Sequence, residues 1–392
     1  MELLIPYIIQ KSNEISKNPN YVLYSLFALY RYFNLSKINQ NSFKEFLNVG
    51  INLNNIEVYE AYFNVYYSVY QIYFECFSKF KMYEDGKKFF LQLLTKFPNK
   101  LKFHPFQSYI LFFSYLSKNY EKIDDLLNQF IIITEHKDYS IALDFSMFSF
   151  YKGEILLNKE KFIHASLSFG YNVINIQKNK EKYIDLFQIE SIKRICLLIQ
   201  ILPNEFSELF NKILERFKTL KGFKELNPYL TLIKNQFENF ILINKENLKK
   251  SNILGFSNVV LKEIRFKQIQ NILRKYKRIK LSKLTSLCGI DYPTVKYILE
   301  YYVSKNKINV KFDEIDDIIE VFEAETKCSL EELQEYYKYL NQISFELYNY
   351  DKLKIQEIKM INQLPEQEKL KYMKKQEDRL NDEDDEDNEY DD

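Results

Sequence analysis

Three histidines, four cysteines and the adjacent carboxylates Asp124 and Asp125 are the side chains of this 392-residue chain best suited to bond-making chemistry. A hydrolytic zinc needs an HxH or HExxH pair with an acidic ligand, because those spacings turn two imidazoles toward one point. His104, His136 and His164 are isolated and no CxxC pair occurs, so no metal site is expected. Cys76, Cys196, Cys288 and Cys328 are equally scattered, the pattern of packing thiols in a reducing compartment. A cysteine nucleophile needs a base beside it, and Cys288 has no histidine near it in sequence. Asp124 and Asp125 read as part of a solvated helix face. The seven glycines never cluster into a phosphate-cradling loop, which argues against nucleotide-loop enzymes. The expectation is a protein with no catalytic residue, no cofactor and no metal.

Charge is the sharper signal. The 55 basic and 54 acidic side chains nearly cancel over the chain, so any electrostatic partner must be met by a local patch. Between Lys262 and Lys311 there are 13 Lys or Arg against Glu263, Asp291 and Glu300, an excess of 13 − 3 = +10. Arg274, Lys275, Lys277, Arg278 and Lys280 concentrate that excess and form a candidate patch for a polyanion or an acidic partner. The following helical segment TVKYILEYYVSK offers mainly Lys296, with a Glu300 that repels phosphate, so direct base reading is not expected. At the other extreme, residues 382–392 hold nine acids, a tail expected to be disordered and to serve solubility.

The elements that carry these residues read as helical. Glycine and proline are scarce, and apolar residues recur at three- and four-residue intervals almost throughout. The 32 Tyr and 33 Phe follow that spacing and read as core filler rather than base-stacking platforms. In IALDFSMFSFYKGEILLNKEKFIHASLSFGYNVINI, Gly153, Ala165 and Phe169 are spaced so that two antiparallel helices approach closely. Gly86, Phe90 and Pro98 read as a fainter copy, with the proline ending its second helix. Residues 1–250 are therefore expected to form a solenoid of helical hairpins with tetratricopeptide-like spacing.

Such a stack needs a cap, and residues 251–325 supply one. VVLKEIRFKQIQNILRKYKRI predicts one amphipathic helix and LSKLTSL a second, ended by Gly289. Asp291 and Pro293 open a third, and KINVKF and DIIEVF then read as two strands around the turn DEID. Three helices and a two-stranded ribbon make a winged helix. Residues 329–376 predict C-terminal bundle helices, the first N-capped by Ser329, with a narrow seam of Leu333, Tyr336, Leu340, Ile343, Leu347 and Tyr350. Residues 377–392 follow as the tail. The start MELLIPYIIQK, with Glu2 and Pro6, lacks the pattern of a secretory leader, and even EAYFNVYYSVYQIYFECF is bounded by Glu60 and Glu75, so neither export nor a membrane span is expected.

IKLSKLTSLCGIDYPTVKYILEYYVSKNKINVKFD resembles the pattern of the PCI family, which is shared by the proteasome lid, the COP-nine signalosome and translation initiation factor three. The likeness rests on a capped turn, a helix bearing Val295, Leu299 and Val303, and strand positions Ile308, Val310 and Phe312. Asn306 stands where the family commonly has glycine, and asparagine tolerates the left-handed turn. Over residues 138–375, including FQIESIKRICLLIQIL, the chain is most similar to a signalosome member. The resemblance implies a non-catalytic scaffold in a hetero-oligomer of nucleus and cytoplasm. Its partners would be other PCI subunits and a metalloprotease subunit that removes a ubiquitin-like modifier from cullin-RING ligases, which are reached indirectly. The implied contacts are the winged helix and wing (Val295, Leu299, Val303, Ile308, Val310, Phe312, Ile319 and Val321) and the C-terminal seam. Another PCI assembly, or a nucleic-acid-binding PCI protein of messenger RNA export, is the alternative.

Overall fold

A computed structural model describes residues 4–35, 38–96, 103–128, 139–175, 186–215, 224–232, 236–313 and 316–322, with Gln334, Tyr337 and Asn341. The chain divides into two compact units, Met1–Ala324 and Glu325–Asp392. The first is a run of helices closed by a winged helix, the architecture expected from the sequence. The seam positions Leu333, Tyr336, Leu340, Ile343, Leu347 and Tyr350, the tail, His136 and Cys328 lie outside the described residues.

Helices α1 (Leu4–Ile15), α2 (Pro19–Leu35), α3 (Gln40–Asn52), α4 (Ile56–Ala61) and α5 (Phe63–Lys79) open the stack, α1 packing on α2 and α3, and α2 on α5. Then α6 (Tyr83–Leu94) packs on α7 (Pro105–Ser117), α7 on α9 (Tyr139–Asn158), α9 on α10 (Phe162–Asn175), and α10 on α11 (Leu186–Leu198). A short α8 (Asp124–Asn128) precedes α9, and α12 (Asn204–Glu215) and α13 (Asn227–Leu230) follow α11.

Glycine sets the interhelical approach. A Cβ built on Gly153 would lie 2.5 Å from the ring of Phe169, so the α9–α10 contact exists only because the side chain is absent. Phe169 is fully buried there, an aromatic burial that contributes about 2–3 kcal/mol. Gly86 acts in the same way. It shares α6 with Phe90, and a Cβ built on it would lie 2.8 Å from the ring of Phe113 on α7; Pro98 lies outside the described residues. The repeat is one of glycine sockets and rings rather than of fixed period.

Aromatic side chains do fill the core. Tyr70 and Tyr73 are buried on α5, and their hydroxyls donate to the carbonyls of Gly50 and Phe46 at 2.7 and 2.8 Å. A buried tyrosine is tolerated when its O–H is satisfied, and backbone carbonyls of α3 do this here. Arg194 of α11, also buried, is bonded to Glu154 of α9 and Glu190 of its own helix and lies against the Phe150 ring, tying α11 to the hairpin before it.

The chain then runs through α14 (Phe237–Lys250) and α15 (Leu254–Leu273) into the winged helix: β1 (Arg278–Lys280), α16 (Leu281–Cys288), α17 (Tyr292–Ser304), β2 (Asn309–Asp313) and β3 (Ile318–Phe322). Its local signals behave as read. Gly289 caps α16 in the left-handed region at φ 66°, and the Asp291 side chain accepts from the Thr294 N–H at the start of α17. Asn306 adopts φ 55° in the turn before β2, the conformation for which asparagine was expected to substitute for glycine.

One expectation is corrected. The amphipathic helix read through Ile279 ends at Leu273, and Arg278–Lys280 is a strand. Its alternation of exposed Arg278 and Lys280 around buried Ile279 suits a helix face as well as a strand, and only its partner decides. That partner is β3, about 40 residues further on, with Ile279 opposite Ile319, and with the Leu281 N–H donating to Asp317 O and the Val321 N–H to Lys277 O. The wing is thus a three-stranded antiparallel sheet in the order β1-β3-β2.

Candidate subunit interface

The winged helix carries its own apolar core. Val295, Leu299, Ile308, Val310 and Ile319 are buried within it, together with Phe266, Leu284, Ile298 and Tyr302. Val303, Phe312 and Val321 pack half-buried against the same cluster. Of the eight side chains expected at a subunit contact, five are thus buried in this core and three lie half-buried against it. β3, with Ile319 and Val321, is paired on both sides and offers no edge, so the expected ribbon edge narrows to β2.

Register shows which groups that edge presents. Residues 317 and 321 bond toward β1, so by alternation Ile318, Glu320 and Phe322 bond toward β2, where they face Asp313, Lys311 and Asn309. Val310 and Phe312 therefore turn their N–H and C=O groups to the open side. Among the described residues no strand pairs with this side, and an unpaired edge of this kind accepts an added strand.

Exposed apolar side chains, missed in the sequence because each fits a helical pattern, occur on three elements of this part of the chain. Leu242 and Ile243 of α14 are 71% and 82% exposed, Tyr297 of α17 58%, and Phe322 at the end of β3 45%. Large side chains left in water at this level mark contact surfaces when they cluster.

The basic excess resolves into committed and uncommitted charge. Lys262 sits 3.4 Å from the Tyr301 ring centroid, Arg265 pairs with Glu238 at 2.7 Å, Lys267 donates to Ile201 O, Arg278 pairs with Glu320, and Lys296 lies 4.0 Å from Glu300. Lys305 and Lys307 reach Glu160 at 3.5 and 3.2 Å. Arg274, Lys275, Lys277 and Lys280 are exposed and have no ionic partner among the described residues. They lie together at the corner from the end of α15 to the start of α16, where Lys283 adds a fifth charge over Tyr276. Of the predicted patch, only Arg278 is neutralised by a neighbouring strand.

Groups with displaced proton affinities do not converge. Burial pushes Asp144 up to about 8, Lys152 down to about 7 and His104 down to about 3. His104 is the N-cap of α7, in a reciprocal capping box with Gln107. Burial also raises the Cys288 thiol, making it a poorer nucleophile. Among the described residues no three His, Cys, Asp or Glu side chains come together as a metal site, and no helix is long and apolar enough to cross a membrane.

Fold and surface together define a helical-repeat chain that ends its first unit in a winged helix with an open β-edge. Within it, residues 236–323 match the model of the PCI domain. The match runs from α14 to β3, beginning before the boundary expected at residue 251, and leaves the preceding repeats outside it. No curated protein matches the chain.

Proposed function

We propose that this chain is a non-catalytic scaffold subunit of a PCI assembly, and specifically the counterpart of subunit three of the COP-nine signalosome. The observation that carries the scaffold reading is the coincidence of the PCI match with a winged helix whose polar backbone along β2 has no partner among the described residues. A neighbouring PCI subunit would add a strand there and cover the apolar side chains of α14 and α17. The likeness of residues 138–375 to signalosome subunit three supports the finer assignment. In that assembly the chain would position subunits for the metalloprotease that removes a ubiquitin-like modifier from cullin-RING ligases.

A tagged full-length chain is expected to copurify, in stoichiometric amounts, with other PCI subunits and with a metalloprotease subunit bearing an HxH pair. Ending the chain at Cys328 is expected to strip those subunits away, as the seam from Leu333 to Tyr350 would complete a shared helical bundle. Recovery of a proteasome-lid or initiation-factor set instead would reassign the assembly, and recovery of the chain alone would remove the scaffold reading. The uncommitted charges from Arg274 to Lys283 favour one second reading, RNA binding. It predicts an affinity that falls steeply between low and moderate salt, and a salt-independent, negligible affinity would remove it.

A further inference from the structure

Glu160 occupies a place that its local surroundings disfavour. It follows α9 in a helix-ending turn in which its N–H donates to Leu157 O and that of Lys161 to Leu156 O, both at 2.9 Å, and its φ is 57°. A β-carbon in that region costs about 1 kcal/mol, and a carboxylate at a helix C-terminus meets the negative end of the dipole. Asparagine would suit the position better on both counts and lysine on the second, and this chain uses them at Lys81, Lys118 and Asn252.

The compensation comes from the winged helix. The Tyr301 hydroxyl donates to Glu160 Oε1, Lys307 Nζ lies 3.2 Å from Oε2, and Lys305 Nζ lies 3.5 Å from Oε1. Lys307 also approaches Glu263 of α15 at 3.7 Å, and Lys262 covers the Tyr301 ring. Tyr301 lies in the last turn of α17 and the two lysines in a second left-handed turn of the same kind after it, in which the Asn306 and Lys307 N–H groups donate to Val303 O and Tyr302 O. Burial opposes the charge on Glu160, and Tyr301, Lys307 and Lys305 overcome it, holding the carboxyl below its ordinary value.

The winged-helix core from Phe266 to Ile319 contains no residue of the repeats, whose own buried side chains continue past Ile155 through Phe169 and Ile195 to Leu214. Among the described residues, links across the joint include α15, which packs on α11 on one side and on α16 and α17 on the other, the contacts on Glu160, and Lys307 5.9 Å from the ring centroid of Phe162 on α10. We propose that Glu160 is a latch: with α15 as a strut, the carboxylate gripping Tyr301, Lys305 and Lys307 fixes the winged helix against the α9–α10 hairpin and so sets the direction in which the β2 edge faces. The consequence for assembly rests on the scaffold reading, while the latch itself is a property of the single chain.

Hydrogen exchange of the full-length protein tests it. In Glu160→Lys, amides of residues 158–162 and 301–307 are expected to exchange about tenfold faster, while those of β1, β3 and α16 keep their protection. Glu160→Gln, which keeps the shape and loses the charge, should move the same two segments in the same direction by less. Combining Glu160→Lys with Lys305→Glu and Lys307→Glu should restore slow exchange in both segments. Unchanged exchange in Glu160→Lys and Glu160→Gln, a loss of protection spread evenly over the winged helix, or no recovery in the charge swap would each overturn the latch. None of these outcomes depends on which subunits copurify.

Discussion

Single residues in this chain are constrained more by what they leave out than by what they do. Gly153 is read from the sequence as a small residue at a helix crossing, and the structure gives the reason in ångströms, since its missing Cβ is the space filled by Phe169. Gly153→Ala is therefore expected to destabilise the repeats by about 1–3 kcal/mol, seen as a lower urea midpoint with an unchanged slope. Gly255 near the start of α15 has nothing within 4 Å of its would-be Cβ, and Gly255→Ala should be neutral or stabilising by up to about 1 kcal/mol. The two glycines look alike in sequence. They differ because one faces a ring on another helix.

At the scale of the element, the caps and turns of the winged helix were legible because each is settled within a few residues: Gly289 by its left-handed cap, Asp291 by its bond to Thr294, Asn306 by its positive φ. β1 was not legible, because three residues carry too short a period to separate strand from helix and the deciding bonds come from β3. That strand moves β3 to the centre and leaves β2 as the edge of the expected ribbon. Phe312→Pro removes an N–H that faces the open side, whereas Lys311→Pro removes one that bonds β3. The first is expected to keep the winged-helix fold by circular dichroism and lose copurifying subunits; the second should unfold the wing itself. Equal retention of subunits by Phe312→Pro and the parent chain would exclude strand addition at β2.

For the whole molecule, stability should carry an unusual pH dependence. Asp144 on α9 has its carboxyl raised to about 8 by burial, with Tyr67 bonding it in the opposing sense, so the folded chain holds a proton that the unfolded chain releases near pH 4. Its contribution is fully present below about pH 4 and is lost as pH rises through about 8. Asp144→Asn is therefore expected to stabilise by about 1–3 kcal/mol at pH 8 and to change little at pH 4, read from urea unfolding at both values. The sequence alone determined the helical class, the winged helix and its caps, the scarcity of chemistry-bearing clusters and the local basic excess, because periodicity, capping and charge density act over neighbouring residues. Tertiary structure decided the rest. The burial of Val295, Leu299 and Ile319, the strand at Arg278–Lys280, the division of the lysines into paired and unpaired, and the grip of Tyr301 and Lys307 on Glu160 across 141 and 147 residues depend on partners distant in the chain, which no local pattern announces.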